Sequence, residues 1–369
     1  MKILYFITTS NWGGASEHVF ELCKYEEKLG NSVTFVTGSK GELLNRIETI
    51  PNVSTRVIDS VKRKISPLND IRSVLVLRKL IKKINPDIIH LHSSKAGILG
   101  RLAAIGLDCK VIFTVHGWSF TDGISSRFRK KVFKYIEKIV APLADLYICV
   151  SNYDKQIAYR EKVLNPNKNK VVVVHNGAPL NKDCASFSTN NISKITKFIM
   201  VARFSNQKDQ IGLIKACGLL SSEDKFRLTF VGSGPNLEKC KALVQKMGLG
   251  NSIQFLGFKR NVNTYLKKND VFVLSTHYEG LPISIIESMS VGMPIIASNV
   301  GGNKELVFNK KNGFLVNNEK ELVRALKYFI DNKKEIIRMG KKSQKIYLRD
   351  FTLSKNLNNI HRQYKTLLN

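Results

Sequence analysis

The feature that most limits what this chain can fold into is an alternation that runs through it twice. Short runs rich in Val, Ile and Phe are separated by longer stretches with helical apolar spacing. In the first half the strand candidates are residues 3–8, 32–37, 88–92, 111–116, 146–150 and 171–175. Amphipathic stretches such as 15–29 and 71–84 lie between them. A polar segment follows, NKDCASFSTNNISK at 181–194, and the pattern restarts with 197–201, 227–231, 253–256, 271–275, 294–297 and 313–316. Runs such as VFVL at 271–274 are apolar without a break, as expected of strands covered on both faces. The tail, 321–369, is helical by pattern throughout.

Strands alternating with helices predict an α/β fold of two doubly wound parallel sheets. The expected partition is a first domain at 1–180, a linker at 181–194, a second domain at 195–350, and a final helix at 351–369 able to pack back on the first domain. Ligand sites are expected at the carboxyl ends of the strands, in a cleft between the two domains.

The 369 residues carry 59 Lys and Arg against 29 Asp and Glu, a net charge of +30. That excess attracts polyanions, whether nucleic acid, anionic lipid or phosphate-bearing small molecules; a Lys-rich solvated surface is the plainer reading. The six cysteines are scattered without a C-x-x-C pair, which argues against zinc ribbons and disulfide scaffolds and fits a reducing cytoplasm. The start, MKILYFITTS, reads as a first strand rather than a signal peptide. No window approaches the roughly 18 apolar residues of a membrane span, so a soluble or peripheral protein is expected.

The most informative stretch is YEGLPISIIESMSVGMP at 278–294. Glu279 and Glu287 form an E-x₇-E pair behind a strand; Gly280 permits a tight turn and Pro282 suits the first turn of a helix running from about 281 to 291. The N-terminus of such a helix can hold a phosphate. A carboxylate can accept two hydroxyl hydrogen bonds, so the pair could grip a sugar and a ribose on either side of a diphosphate. An E-x₇-E alone would be ordinary surface. Arg203 and Lys208, in VARFSNQKDQ, follow the first strand of the second half; in a dry site they could neutralise a diphosphate leaving group. No Asp-x-Asp dyad occurs, so no metal is expected and these cations are the better candidates.

Gly-containing loops end other strands: VGSGP with Gly232 and Gly234, SNVGG with Gly302, and NWGGASEH with Gly13 and Gly14. They suit close backbone approach to phosphate or substrate, although plain turns use the same residues. The missing G-x-G-x-x-G disfavours a dinucleotide cofactor. His116 closes a strand in VIFTVHGWSF, where it could touch a sugar hydroxyl or steer a proton; a lone histidine is more often structural. The stretch 124–143 places Arg127, Arg129, Lys130, Lys131, Lys134 and Lys138 around an apolar stripe. It fits equally a helix lying on an anionic membrane and an ordinary helix with a wet basic face.

Taken together, NWGGASEH, HSSKAGILGR, VIFTVHGWSF, VSNYDK, VHNG, VARFSNQKD, VGSGP, FLGF and the 278–294 stretch resemble the retaining glycosyltransferases of family 4, which have the GT-B fold. The resemblance spans nearly the whole chain. It implies that Arg203 and Lys208 bind the donor diphosphate, that Glu279 meets the donor sugar and Glu287 the ribose, and that His116 touches the hexose near the reacting carbon. It also implies donor contacts from Gly14, Gly232, Gly280 and Leu281, and acceptor contacts from Gly13, Gly14 and Lys95. The family's GR-x-x-x-x-KG reads ARFSNQKD here, so the charges persist without the flanking glycines.

HSSKAGILGR followed by TVHGW looks like the subgroup that builds bacterial capsule and O-antigen. That implies a nucleoside diphosphate sugar donor, a uridine diphosphate N-acetylhexosamine by this likeness. It also implies a polyprenyl-diphosphate-linked acceptor, no cofactor, and a cytoplasmic enzyme held peripherally at the inner face of the plasma membrane. Two alternatives remain at this point: a nucleotide-sugar 2-epimerase of the same fold, and a nucleic-acid-binding protein. The second is disfavoured by dispersed basic residues and the lack of a nucleic-acid motif.

Overall fold

The computed structural model describes residues 1–121, 127–180 and 194–369. The expected linker, apart from Lys194, lies outside the described residues, as do positions 124–126 of the basic stretch. Two compact units result. One comprises Met1–His175 with Asn356–Asn369, the other Asn176–Lys355.

The first unit holds a sheet of β1 (Lys2–Ile7), β2 (Ser32–Thr37), β3 (Val53–Val57), β4 (Ile88–His92), β5 (Lys110–Val115), β6 (Leu146–Cys149) and β7 (Val171–Val173). Its order is β3-β2-β1-β4-β5-β6-β7, parallel throughout. The second holds β8 (Thr196–Val201), β9 (Phe226–Val231), β10 (Ile253–Phe255), β11 (Val271–Leu274), β12 (Ile295–Ser298) and β13 (Gly313–Val316). Its order is β10-β9-β8-β11-β12-β13, also parallel. Each sheet reverses its direction of winding once, between β1 and β4 and between β8 and β11. At such a switch point adjacent loops splay apart and leave a crevice at the carboxyl ends of the strands.

The central strands are the apolar runs of the sequence. All residues of β4, β6 and β11 are buried, because helices cover both faces of the sheets. The strand that sequence patterning misses is β3. It sits at the edge, alternates between exposed and half-buried residues, and carries Arg56, so it has no apolar run to announce it. The tail is not one continuous helix. It breaks into Glu319–Asp331, Lys333–Asp350 and Leu353–Leu368, with Asn332 at the first joint. The last of these packs on the first unit: the Tyr364 hydroxyl lies 3.1 Å from that of Tyr5 and 2.6 Å from His90 Nδ1.

Candidate functional site

In the second unit the site is built at the β8/β11 switch point. The loop after β8 carries Arg203, Gln207 and Lys208; the loop after β11 carries Thr276, Glu279, Gly280 and Leu281. The two loops are stitched together by backbone. His277 N donates to the Gln207 carbonyl at 2.9 Å and Asp209 N to the Ser275 carbonyl at 2.9 Å. The Lys208 ammonium pairs with the Glu279 carboxylate. Thr276 Oγ1 donates to Glu279 Oε1 at 2.8 Å, and Gln207 Nε2 lies 2.9 Å from the Tyr278 carbonyl and 3.4 Å from Glu279 Oε2. Both Thr276 and Glu279 are buried, so a carboxylate is held out of water by a cation and two neutral donors. That is the arrangement a buried charge requires.

Arg203 is different. It is exposed, and its guanidinium makes no hydrogen bond or ion pair with another described residue. Gly232 and Gly302, expected to make room for phosphate, are also required by the protein itself. A Cβ on Gly232 would fall on the Ala202 carbonyl, and Cβ atoms on Gly301 and Gly302 would fall on the carbonyls of Glu279 and Gly280. The β9 and β12 loops therefore pack directly against the two loops that carry the charges.

The helix of this site runs Ile283–Ser290, two residues later than the sequence suggests, because Pro282 is extended (ψ 120°) and sits at the N-cap rather than in the first turn. Glu279 thus belongs to the loop and only the half-buried Glu287 to the helix. The E-x₇-E spacing is set by a turn plus one helical stretch, not by two helical turns. Asn176 Nδ2 donates to the Leu281 carbonyl at 2.8 Å, steadying the turn that precedes the helix.

In the first unit, Gly13 and Gly14 follow β1 and start the helix Gly14–Lys28. Gly13 has an extended φ of 172° and open space where a Cβ would stand, so nothing within the protein demands glycine there. His116, just past β5, does not stand alone. Its Nε2 lies 3.1 Å from His92 Nδ1, and its ring centroid lies 5.2 Å from that of His18. His90 completes the group, bonded to Tyr364 and to Thr114 Oγ1 at 2.6 Å each. Burial pushes the His18 imidazole down to about 4 and holds His90, His92 and His116 well below the usual histidine range. All four rings are therefore neutral at pH 7, able to donate from one nitrogen and accept at the other.

The nitrogens of His18, His92 and His116 come within 4.8 Å of one another, the group among the described residues that could hold a metal ion. Tetrahedral zinc needs ligand nitrogens about 3.3 Å apart, given bonds of about 2.0 Å; His92 Nδ1 and His116 Nε2 are already 3.1 Å apart but share a hydrogen bond that a metal bound to both would replace. Lys95, expected to meet an acceptor, is engaged elsewhere: its ammonium lies 2.6 Å from Asp70 Oδ1 and also bonds the Lys64 carbonyl. It anchors neighbouring segments, and an acceptor would have to displace both partners.

Thr276, Gln207 and the companion histidines are the residues that sequence reasoning missed. A lone hydroxyl, a lone amide and His18 four positions past Gly14 carry no recognisable spacing. The H-x-H of IIHLH was the one signal available.

Two parallel Rossmann-like sheets with charged loops at the second switch point define a GT-B protein, and a search of solved structures agrees. The Anabaena Alr3699/HepE structure, described as a complex with UDP and glucose, superposes with a TM-score of 0.81 at 19% identity, covering 99% of this chain and all of that one. Residues 12–182 match the family model "Glycosyltransferase Family 4" and residues 182–346 match "Glycosyl transferases group 1". Among curated proteins, the Escherichia coli UDP-Gal:alpha-D-GlcNAc-diphosphoundecaprenol alpha-1,3-galactosyltransferase is 31% identical, covering 94% of this chain and 91% of that protein. The E. coli O-antigen biosynthesis glycosyltransferase WbnH is 29% identical over 86% of each. The chain belongs to glycosyltransferase family 4; it is a glycosyltransferase.

Proposed function

We propose that this enzyme moves a hexose from a UDP-sugar to a glycan carried on a polyprenyl diphosphate, with retention, during assembly of a bacterial surface polysaccharide at the inner face of the plasma membrane. The observation that carries the donor half is the Lys208–Glu279 pair, braced by Thr276 and Gln207 beside the unpaired Arg203. An arriving diphosphate offers Lys208 an anion in place of Glu279. Glu279, still held by Thr276 and Gln207, then turns its lone pairs to sugar hydroxyls. Glu287 takes the ribose diol, and the amides at the start of Ile283–Ser290 add partial positive charge beside the phosphates.

In the transfer the C1–O bond to the diphosphate breaks and its electron pair leaves on the phosphate oxygen. Arg203, Lys208 and the helix dipole stabilise that charge. The acceptor hydroxyl bonds to C1 on the same face, and its proton passes to the departing phosphate. No residue forms a covalent intermediate in this scheme, and no metal takes part. Neutral His116 contacts the hexose, and the open space at Gly13 receives substrate, with Gly14 beside it. The acceptor and donor classes draw support from the names of the relatives, one of which specifies UDP-Gal and a diphosphoundecaprenol acceptor. The sequence likeness pointed instead to an N-acetylhexosamine.

A UDP-release screen across UDP-Gal, UDP-Glc, UDP-GlcNAc and UDP-GalNAc, with and without a prenyl-diphosphate-linked GlcNAc acceptor, separates these donors. Arg203→Ala and Glu279→Ala should each lower kcat/KM by about 10²–10³ while the protein stays folded. Full activity in both would defeat the site assignment.

A further inference from the structure

The histidine cluster of the first unit contains one satisfied ring and others that are not. His90 is complete: its Nδ1 lies 2.6 Å from the Tyr364 hydroxyl and its Nε2 2.6 Å from Thr114 Oγ1. His18 has no hydrogen-bond partner at either ring nitrogen, and His92 has none at Nε2; the two residues are 3% and 0% exposed. His92 Nδ1 is shared with His116 Nε2 at 3.1 Å. A buried nitrogen without a partner is a cost that a leucine or phenylalanine of similar bulk avoids. Packing alone therefore does not account for imidazoles here. One nitrogen from each of His18, His92 and His116 lies within 4.8 Å of the other two, so the lone pairs are gathered around one point.

The trio is carried on rigid elements. His18 belongs to the helix Gly14–Lys28, His92 ends β4 and His116 follows β5, the strand beside β4. The His92 ring is backed by His90, with centroids 4.2 Å apart. Behind His18 stands the buried Asn356. Its Nδ2 donates to the His175 carbonyl at 2.7 Å, its Oδ1 is unpaired, and it favours a proton on the His18 ring. A carbonyl oxygen so placed can accept one His18 N–H and leave the other nitrogen's lone pair for a ligand, the outer support that metal-binding histidines regularly have. The rings are neutral at pH 7, so a cation has no proton to displace. Closing a gap of 4.8 Å to about 3.3 Å takes a shift of about 0.75 Å at each of two rings. Of the three, His116 is the one partly exposed, so an ion enters there and its fourth position stays open to water.

We propose that His18, His92 and His116 bind one Zn²⁺ ion through three imidazole nitrogens, with a water as the fourth ligand. Neutral imidazoles suit zinc, whereas Mg²⁺ and Ca²⁺ take oxygen ligands and Cu²⁺ prefers a square arrangement. The ion replaces the His92–His116 hydrogen bond and ties His116 to the protein. It has no part in the transfer. On the reading in which His116 contacts the hexose, bound zinc competes with the donor sugar and inhibits the enzyme. That consequence rests on the reading; the site itself does not.

The test is titration of the EDTA-treated full chain with Zn²⁺ against a chromogenic chelator, and with Co²⁺ followed by its visible spectrum. One equivalent of Zn²⁺ should bind, and Co²⁺ should give the intense visible bands of a tetrahedral site, bleached by Zn²⁺. His18→Leu and His116→Asn should each weaken binding by about a hundredfold or more. Melting temperature confirms that each is folded, and the partly exposed His116 carries the test if the buried substitution at His18 does not fold. His277→Ala, which removes an exposed histidine of the second unit, should bind as wild type. At a buffered free Zn²⁺ concentration the donor KM should rise in wild type, reversibly with EDTA, and not in His18→Leu. No saturable binding, the result if the cluster holds only water, would overturn the proposal. So would one-equivalent binding unchanged in both folded variants, which would place the ion elsewhere. Zinc bound at the trio with an unchanged donor KM would establish the site and refute instead the contact of His116 with the hexose.

Discussion

Replacing Thr276 by Val tests whether the buried carboxylate of the site needs its hydroxyl support. The two side chains have nearly the same volume, so packing against the buried loop is preserved. The hydroxyl has one hydrogen, and its shortest acceptor is Glu279 Oε1 at 2.8 Å, ahead of the Gln207 carbonyl at 3.0 Å and the Tyr278 carbonyl at 3.4 Å. Its removal leaves Oε1 to Lys208 alone, and in the proposed donor complex Lys208 has turned to the diphosphate. A hydrogen bond to a buried charged group contributes about 1.5–3 kcal/mol, and each 1.36 kcal/mol is tenfold in rate. Thr276→Val should therefore lower kcat/KM for the donor by roughly 10- to 150-fold, with Tm lowered by no more than a few degrees because Lys208 still pairs with Oε1 in the free protein. Thr276→Ser keeps the donor and should stay within about threefold of wild type. Initial rates of UDP release across donor concentration give kcat and KM separately. Wild-type kinetics in a folded Thr276→Val protein would refute the reasoning, and so would a Ser variant as impaired as Val, since the loss would then belong to packing.

The buried imidazoles make stability depend on pH. His18 titrates near 4 when folded and near 6.5 when unfolded, so the unfolded chain binds more protons between those values. The stabilisation is complete above pH 6.5 and is lost as pH falls to 4, by about 3 kcal/mol for this group alone; urea midpoints between pH 7.5 and 4 should fall accordingly, and His18→Leu should flatten the slope. Glu137→Ala strands the Arg101 guanidinium, which is buried beside Tyr147 and over the Phe113 ring, and should cost about 3–5 kcal/mol in urea unfolding. Glu137→Ala with wild-type stability would show that Arg101 finds another partner. Chelation with EDTA should leave UDP release within about twofold, as expected where Arg203 and Lys208 neutralise the leaving group; loss of activity restored by zinc would make the His18–His92–His116 trio a metal centre.

Much of this protein was legible in the residues. Strands covered on both faces are mostly apolar, so β4, β6 and β11 announced themselves, even with the two histidines of β4, whereas the half-wet edge strand β3 did not. Arg203, Lys208, Glu279 and Glu287 were marked because charges beside Gly and Pro at strand ends are conspicuous. Gln207 was not, because an amide becomes a carboxylate support only when β8 and β11 lie side by side and bring together positions some seventy residues apart in the chain; Thr276 was not, because a hydroxyl three residues before a Glu reaches its carboxylate only when the loop after β11 folds back on itself. Lys95 illustrates the converse: in the sequence it is a cation in a suggestive motif, and only packing shows that it pairs with Asp70. The sequence by itself determined the alternation, and with it two parallel sheets and the charges at the second switch point. Which side of an amphipathic helix faces the core was decided only by tertiary structure. Leu77 and Leu75 are equally apolar and two residues apart, yet one is buried against the sheet and the other faces solvent. Hydrophobicity is a property of the residue, and burial is a property of what the rest of the chain places against it.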